Sequence, residues 1–575
     1  MRRKRWIFLI AALLLAVSAA WLAVARPRKV DMATYAPADS LLYLESNRPV
    51  AVVEAIAATE AWKAFEKAIG TQPITPRNQW LQRLVGLTGI GPTQSVVLAR
   101  AQIAAVVTEL GATEEGETLQ IKPEGAVLIE THTAAFRITP QFEQALKELA
   151  EKTYGRPTKR QYALSGVEFT EWKSADGSRQ IVGTVVGSLV IIGNTERAVQ
   201  SCVEVALGRR SGLKDDPELN RMRQQLKADE ALSFGYVPPG NSARLLAVGV
   251  PLLLGRAPGD ADFQRLLTNG AAKIFGSLGW MSRAYSSGIE DRYLITLQPS
   301  FAARLRPGFR TTDRLLNPEQ VLPDEFYSVT SYNFERPSEA LQSLRSSISS
   351  QLDALSAIVF NSLLKSALLS YGIEDPEKFL AAVNGELLTL RLDENSERAL
   401  LIARVKDEAA LRGLLAKKLT ANRGSSPQQS ETPEDSDGEF SANFIGDYVV
   451  VGFPSDVRRF DENWKTGSRA NADRMGRLTA LVAKPGSANV VTYTNDRRRV
   501  QSFLSAVMQA RGTPPVGPGT LQQTVANLPY SVTETSLDDR GLERVTRSPL
   551  GQFSTIFPLL FPEQADTEKN PAPSR

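Results

Sequence analysis

The residue types that most often carry enzyme chemistry are scarce in this chain of 575 residues, which has a single histidine, His132, and a single cysteine, Cys202. Alternation in VLIETHTAAF places His132 on the face of a predicted strand, so we expect a residue of a sheet rather than a general base. Cys202 lies in ERAVQSCVEVAL, a helical pattern that predicts a buried thiol. One imidazole and one thiol cannot assemble the usual zinc site within one chain.

Three short strings match those of exported serine acyl-transferases. They are S-x-x-K from Ser211 to Lys214, S-x-N from Ser441 to Asn443, and K-T-G from Lys465 to Gly467. The chemistry requires the serine at the start of a helix, with its lysine one turn on, and K-T-G on a strand of the same cleft. Here a glycine follows Ser211 and a helical pattern precedes K-T-G, so the sequence does not favour this enzyme.

Other catalytic patterns are also weak. The glycine-rich GLTGIGP at 86–92 lacks the Lys-Ser/Thr of a nucleotide-binding loop, and the sequence has no D-x-D-x-D-G calcium loop. We therefore predict no catalytic, metal-binding or cofactor-binding residues, and a non-enzymatic protein. A carboxylate-based envelope hydrolase stays open as a second alternative. It would require two inward-facing carboxylates about 5 to 9.5 Å apart in an open cleft.

The first structural element is an apolar segment from Trp6 to Ala25, which would rise about 30 Å as a helix and so cross the hydrocarbon of a bilayer. The residues predicted to anchor the chain in the membrane are Trp6, Ile7, Phe8, Leu9, Leu13, Leu14, Leu15, Trp21 and Leu22. The basic residues that flank them are Arg2, Arg3, Lys4, Arg5, Arg26, Arg28 and Lys29. Cationic N-terminal flanks stay in the cytoplasm, so the bulk of the chain is predicted to be periplasmic or extracellular.

Cleavage of this segment is the alternative to retention. Small-x-small sites occur at 17–19 and 23–25. A signal peptide, however, has a shorter apolar core than this one, which continues through Trp21, Leu22 and Val24. The sequence favours a retained anchor in the cytoplasmic membrane and leaves cleavage open.

The charge of the chain gives no sign of nucleic-acid binding. The 67 Lys and Arg residues exceed the 63 Asp and Glu residues by four, but seven of the basic residues lie within residues 1–30. The remainder carries 60 basic against 63 acidic residues, a net charge of about −3. The expected partners are therefore the lipid bilayer, through the N-terminal helix, and an envelope protein or a hydrophobic ligand.

Landmarks recur in the same order in the two halves of the chain. Pro37 and Arg48-Pro49 in the first half correspond to Pro323 and Arg336-Pro337 in the second. GSLVIIGN and GDYVVVGF, which start at Gly187 and Gly446, both predict a buried strand bracketed by glycines. Each half ends in a predicted hairpin, RAYSSGIEDRYLITLQP and VTETSLDDRGLERVTRSP, with an expected acidic-acidic-Arg turn. The pattern predicts an internal duplication.

The predicted fold class is α+β: an N-terminal transmembrane helix, then two related α+β domains with mostly antiparallel sheets, each covered by helices on one face. The predicted boundaries are 1–30 for the flank and anchor, 31–312 for the first copy, 313–562 for the second copy, and 563–575 for a disordered tail. Residues 422–441 are polar and acidic and predict a flexible insertion.

The stretch ARLLAVGVPLLLGR at 243–256 is unusually apolar but too short to span a bilayer. A buried core helix is one interpretation. The other is an apolar groove, continued by the residues up to 280, in a carrier of lipids or other hydrophobic ligands at the membrane surface. The candidate groove residues are Leu245, Leu246, Val250, Leu252, Leu253 and Leu254.

The apolar N-terminal segment, the APADSLLYLE opening and the glycine-bracketed strand resemble families of uncharacterised bacterial exported proteins whose members begin with one membrane helix. The resemblance covers residues 1 to about 560 and implies location and architecture, but no catalytic residues. We expect a membrane-anchored envelope protein of binding or scaffolding type.

Overall fold

The structure, a computed structural model, describes residues 29–68, 100–115, 118–242, 245, 270–286, 288–311, 322–323, 325–351, 369, 371–394, 398–421, 440–466, 488–510 and 518–560. These residues form an α+β fold in which helices pack on a large antiparallel sheet. The helices are α1 Pro49–Ala58, α2 Glu60–Ala68, α3 Ala135–Tyr154, α4 Glu196–Ala206, α5 Pro217–Leu226, α6 Pro299–Leu305, α7 Pro337–Ser349, α8 Pro376–Ala381, α9 Glu408–Leu414, α10 Ala416–Ala421, α11 Pro454–Thr466, α12 Arg497–Ala510, α13 Pro518–Val525 and α14 Phe553–Leu560.

Eighteen strands occur among the described residues. They are β1 Leu42–Ser46, β2 Gln102–Glu115, β3 Thr118–Glu130, β4 Thr158–Leu164, β5 Val167–Lys173, β6 Gln180–Val186, β7 Leu189–Gly193, β8 Ser233–Val237, β9 Phe275–Tyr285, β10 Gly288–Leu297, β11 Ser328–Asn333, β12 Val383–Arg391, β13 Leu400–Val405, β14 Ser441–Ile445, β15 Tyr448–Gly452, β16 Val490–Thr494, β17 Ser531–Leu537 and β18 Leu542–Ser548.

The strand pairs join into one antiparallel sheet. Its spatial order is β4-β5-β6-β7-β3-β2-β1-β8-β9-β10 in the first half of the chain, continued by β18-β17-β16-β11-β12-β13-β15-β14 in the second. The pairing of β10 with β18 joins the halves, with Glu290 opposite Arg547. The separate sheets that the sequence predicted are thus one sheet.

Helices from the two halves pack against each other beside this junction. In one cluster, Val53 of α1 and Phe65 of α2 are buried together with Phe503 and Leu504 of α12. In another, α6 of the first half packs on α7 of the second through Phe301, Leu305, Leu344 and Ile348. Burial of these side chains adds an apolar contact to the hydrogen bonds between β10 and β18.

Helices cover both faces of the sheet, which corrects the prediction that they cover one face. In β6, Val182 packs with Val199 and Cys202 of α4. The next residue, Gly183, faces Phe142 of α3 so closely that an added Cβ would lie 2.5 Å from the ring. Successive residues of a strand point to opposite faces, so α3 and α4 lie on opposite sides.

The first strand-turn-helix unit contains the Arg48-Pro49 landmark of the sequence. β1 is Leu42–Ser46, and Pro49 begins α1. At the first position of a helix the backbone N–H has no partner within the helix, so proline, which lacks that N–H, costs no hydrogen bond there. Beyond α1 the helical backbone is interrupted at Thr59, which has an extended conformation. The Thr59 hydroxyl donates to Ile56 O and accepts from Trp62 N, so it ends α1 and caps α2.

Two local predictions in the first half are wrong. The acidic-acidic-Arg sequence of the first hairpin, Glu290 to Arg292, lies inside β10, whereas its counterpart, Asp538 to Arg540, does lie in the turn between β17 and β18. His132 is not a sheet residue, because β3 ends at Glu130 and His132 follows in the loop with a φ of 54°.

No helix within the described ranges is long and apolar enough to span a bilayer. The predicted anchor and its flanks lie outside those ranges, apart from the exposed Lys29. The tail at 563–575 and most of the insertion at 422–441 also lie outside. Ser441, assigned to the insertion, is instead buried at the start of β14.

Candidate functional site

The hairpin of β4 and β5 is an addition to the strand order of the first half. Without this hairpin, the strands of the two halves follow one another in the sheet in the same order. That order is β6-β7-β3-β2-β1-β8-β9-β10 in the first half and β14-β15-β13-β12-β11-β16-β17-β18 in the second. Only β4 and β5 then have no counterpart among the described strands. They extend the sheet beyond β6 and end it at β4.

The hairpin is formed by a two-residue turn, Ser165-Gly166, between alternating runs. Both residues have positive φ, 56° and 78°, as a type I′ turn requires. Leu164 and Val167 flank the turn and form the first hydrogen-bonded pair. The sequence analysis did not predict this hairpin, although the Ser-Gly dipeptide between KRQYAL and VEFTEWK is a turn signal.

β4 is an edge strand: within the described part of the chain it pairs only with β5. Because hydrogen-bonded and non-hydrogen-bonded pairs alternate, the backbone N–H and C=O groups of Lys159, Gln161 and Ala163 point away from β5. Unpaired backbone groups of this kind can accept a further strand. The side chains of Lys159 and Arg160 are exposed, as is common on edges that resist unspecific pairing.

A groove runs beside this edge, between α3 and the strands. Its volume is about 570 Å³. It exists because α3 packs over β5 and β6 and leaves β4 uncovered. Thr139, Phe142 and Glu143 of α3 line one side, and Gln161, Ala163 and Thr170 of the hairpin line the other. We call this the edge groove.

Polar contacts already order the lining of the edge groove. The Gln161 amide donates to Glu143 Oε1 and to Thr170 Oγ1, each at 3.3 Å. These distances are long for hydrogen bonds, so a ligand group could replace them at small cost. The groove therefore combines one aromatic wall, Phe142, with a carboxylate and an amide that can bind a peptide.

The opposite face of the hairpin carries charge. The Arg160 guanidinium lies 4.7 Å from the centroid of the Tyr162 ring, and 3.8 Å from Glu171 Oε2. Glu171 is buried, with Lys173 Nζ at 3.0 Å from its Oε1, while its Oε2 accepts no hydrogen bond. Burial and the hydrogen bond to Glu196 raise the pKa of Tyr162, so its hydroxyl remains protonated.

The junction between the two halves is filled by buried side chains. Arg547, only 5% exposed, donates from Nε to Glu290 Oε2 at 3.0 Å and from Nη1 to Glu534. Glu290 also accepts at 2.8 Å from Arg283 and from Arg292. The pit beside Arg547 has a volume of about 30 Å³, which accommodates little more than a water molecule.

The two carboxylates at the junction differ in their environments. Burial alone would raise the pKa of Glu290, but Arg292, Arg283 and Arg547 hold it below its usual value. Asp291 faces the other side of the strand, and burial raises its pKa to about 7. It is fixed there by hydrogen bonds of 3.0 Å from Trp280 Nε1 and from the backbone N–H of Gln552. Both groups are enclosed, unlike the carboxylates of an open hydrolase cleft.

The residues that the sequence analysis considered for catalysis, among them Cys202, Ser211 and Ser441, do not come together in one site. Cys202 is fully buried, and burial raises the pKa of its thiol to about 12, as expected of a packed side chain. The backbone of Ser211 accepts a hydrogen bond from Ala38 near β1, whereas Ser441 lies in β14 at the far edge of the sheet. The described residues contain no group of three or more His, Cys, Asp or Glu able to hold a metal.

Of the candidate apolar groove, the structure describes Leu245 alone; Leu246, Val250, Leu252, Leu253 and Leu254 lie outside the described ranges. Further along the same region, Ile274 is buried against Phe301 and Leu305. Residues 275–280 belong to β9 in the interior of the sheet. Residues 274–280 therefore pack in the core or in the sheet and do not line an apolar groove.

A scan of protein-family models finds no match to the chain, and comparison with curated proteins finds no significant match. One solved structure, crystal form IV of TP0453, is similar over 48% of this chain and 83% of its own, at 11% sequence identity and a TM-score of 0.23. A likeness this slight carries no argument about the fold or the function.

Proposed function

We propose that the protein is a single-pass, membrane-anchored envelope protein that binds an extended segment of a partner protein along β4 and in the edge groove. The function is binding, not catalysis. The observation that carries the proposal is the edge of β4, which among the described residues pairs only with β5 and lies beside a groove of about 570 Å³. Addition of a strand to a sheet edge, with side chains in adjoining pockets, is a common mode of peptide recognition.

The anchored location rests on the sequence of residues 1–30, whose apolar core is flanked by seven basic residues. The shared strand order supports an internal duplication, with two related domains joined edge to edge through β10 and β18. On this proposal the second domain supports the sheet, and the β4–β5 hairpin is the specialised addition.

The two faces of β4 specify the partner segment. Side chains of an added strand alternate between the faces, so every second one would enter the edge groove. There Glu143 and Glu168 favour basic or amide side chains. On the opposite face the exposed Arg160 and the partly exposed Lys173 favour acidic ones. The proposed occupant is thus an extended segment of an envelope protein in which basic and acidic residues alternate.

The experiment blocks the edge without breaking the hairpin. Ala163→Pro removes an N–H that points away from β5, a position where an edge strand tolerates proline. Ala163→Ser keeps that N–H and is the matched control. A photo-crosslinking residue at position 161 is introduced into the full chain in intact cells.

We expect one discrete protein adduct with the wild-type strand and with Ala163→Ser, and at least a tenfold loss with Ala163→Pro. Unchanged thermal unfolding of the variants confirms that the hairpin still forms. An adduct that persists undiminished with Ala163→Pro contradicts strand addition.

A further inference from the structure

The chain enters the folded body at a fixed point. The backbone N–H of Val30 donates to Gln102 Oε1, and the Gln102 amide donates to Val30 O, both at 2.7 Å. The next residue, Asp31, caps the 3₁₀ helix Met32–Thr34 and pairs with Arg223 at 3.0 Å. Met32 and Ala33 are fully buried. Val30 is therefore held firmly against the start of β2.

Only a short linker separates this point from the apolar segment that ends at Ala25. Four residues, 26–29, lie between Ala25 and Val30. Fully extended, they let Val30 lie at most about 18 Å from the end of the segment. If that segment spans the membrane, as the proposed function holds, the part of the body around Val30 must lie close to the lipid headgroups.

The pairing register identifies what else lies at this end of the sheet. β2 begins at Gln102, opposite the last residue of β3, Glu130, and β1 ends at Ser46, opposite Ile103. We call this the Val30 end. From Glu130 the chain crosses the end of the sheet, and α3 begins five residues later, at Ala135. The first turn of α3 therefore lies at the Val30 end.

That first turn exposes a phenylalanine. Phe136 is 74% exposed, the largest exposure recorded for a large apolar side chain among the described residues. The guanidinium of Arg137 lies 5.5 Å from its ring centroid. Aromatic rings beside cationic side chains are typical of residues at the membrane–water interface. The exposed basic residues at this end are Lys29, Arg48, Arg100 and Arg137.

We infer that the Val30 end rests on the bilayer, with Phe136 inserted among the headgroups and these basic residues facing anionic lipid. The occupant of the exposed surface is thus an anionic bilayer, selected by the short linker and the charge. The contact is limited to the strands near β2 and β3, because the twist of the sheet turns more distant strand ends away. It would fix the orientation of the body relative to the membrane.

The test uses the full-length protein in nanodiscs of phosphatidylcholine and phosphatidylglycerol that contain nitroxide-labelled lipid. An environment-sensitive fluorophore is attached at Ala134→Cys, an exposed position next to the α3 start. Leu149→Cys, 46% exposed and about 20 Å further along the same helix, is the control. The native Cys202 is fully buried, so labelling is confined to the introduced cysteine.

We expect quenching by the lipid nitroxide to be at least fivefold stronger at position 134 than at 149. Adding Phe136→Ser should halve the quenching at 134, and so should omitting phosphatidylglycerol. Equal quenching at 134 and 149 in protein that stays with the nanodiscs through alkaline washing would overturn the inference but leave the anchor intact. Protein that leaves the nanodiscs would overturn both the anchor and this contact.

Discussion

The buried carboxyl group of Asp291 predicts a measurable dependence of stability on pH. Its side chain is 1% exposed, and burial raises its pKa to about 7 from an ordinary value of 3.8. The charged neighbour Glu290 adds to the rise, while the hydrogen bonds from Trp280 and Gln552 oppose it. The folded protein therefore binds this proton more tightly than the unfolded chain does.

The sign of the effect follows from that difference in proton binding. Between pH 3.8 and about 7 the folded state holds the proton and the unfolded state has released it, so stability falls as the pH rises. The whole pKa difference corresponds to about 4 kcal/mol in the free energy of unfolding, of which about 2 to 3 kcal/mol is lost between pH 5 and pH 8. With an unfolding entropy of about 2.1 cal/mol/K per residue for 575 residues, this lowers the Tm by about 2 °C.

The assay is thermal unfolding of the wild type and of Asp291→Asn at pH 5 and pH 8. The amide cannot ionise, so we expect the variant to lack this contribution to the pH dependence. Its stability will also change by an amount independent of pH. An asparagine has a single acceptor oxygen, so its NH2 group would face one of the two donors, Trp280 Nε1 or Gln552 N, without accepting from it. Asp539→Asn, in a turn with a side chain 91% exposed, is the control and should keep the wild-type slope. If Asp291→Asn keeps that slope too, the carboxyl group does not titrate as argued.

Two further predictions concern packing and the junction. Arg547→Met removes the buried guanidinium that pairs with Glu534 and Glu290, and should lower the free energy of unfolding by about 3 to 5 kcal/mol in denaturant titrations. The control, Arg345→Met, removes an exposed ion pair and should change the free energy of unfolding by less than about 1 kcal/mol. Equal effects of the two substitutions would contradict a junction held by Arg547. Gly183→Ala forces Phe142 away and should cost about 1 to 3 kcal/mol by the same measurement, while Gly413→Ala, with open space around it in α9, should stabilise by up to about 1 kcal/mol. A neutral Gly183→Ala would mean that α3 is loosely packed.

Local features of the fold were predictable because their causes are local. Pro49 begins a helix, and the glycine-bracketed runs form β7 and β15, each after a turn in which Gly187 or Gly446 has a positive φ. These outcomes depend on backbone geometry within a few residues. The break at Thr59 is not evident from the sequence, because a threonine at that position does not reveal that its hydroxyl will cap the next helix.

The single sheet could not be predicted from the sequence in the same way. β10 and β18 are far apart in the chain, with Glu290 and Arg547 separated by 257 residues, and only the folded structure shows them paired. The acidic pair Glu290-Asp291 suggested a turn because carboxylates are common there. In the structure, arginines of three strands neutralise Glu290, which makes a charge tolerable inside β10.

The candidate site was missed for a related reason. An edge strand is defined by what does not pair with it, and no residue of β4 encodes that directly. The turn Ser165-Gly166 was a usable signal for the hairpin, but the space between α3 and β4 depends on how Phe142 and Gly183 fix the position of α3. The proposed anchor, by contrast, rests on sequence alone.

In the proposed function, the N-terminal apolar segment stays in the membrane and holds the folded body at the membrane surface. Intact-mass measurement of the protein recovered from alkali-washed membranes tests it most directly. We predict a chain that retains residues 6–25 and remains in the membrane pellet. A mature chain that begins near residue 20 or 26 and is released into the soluble periplasmic fraction would contradict the account.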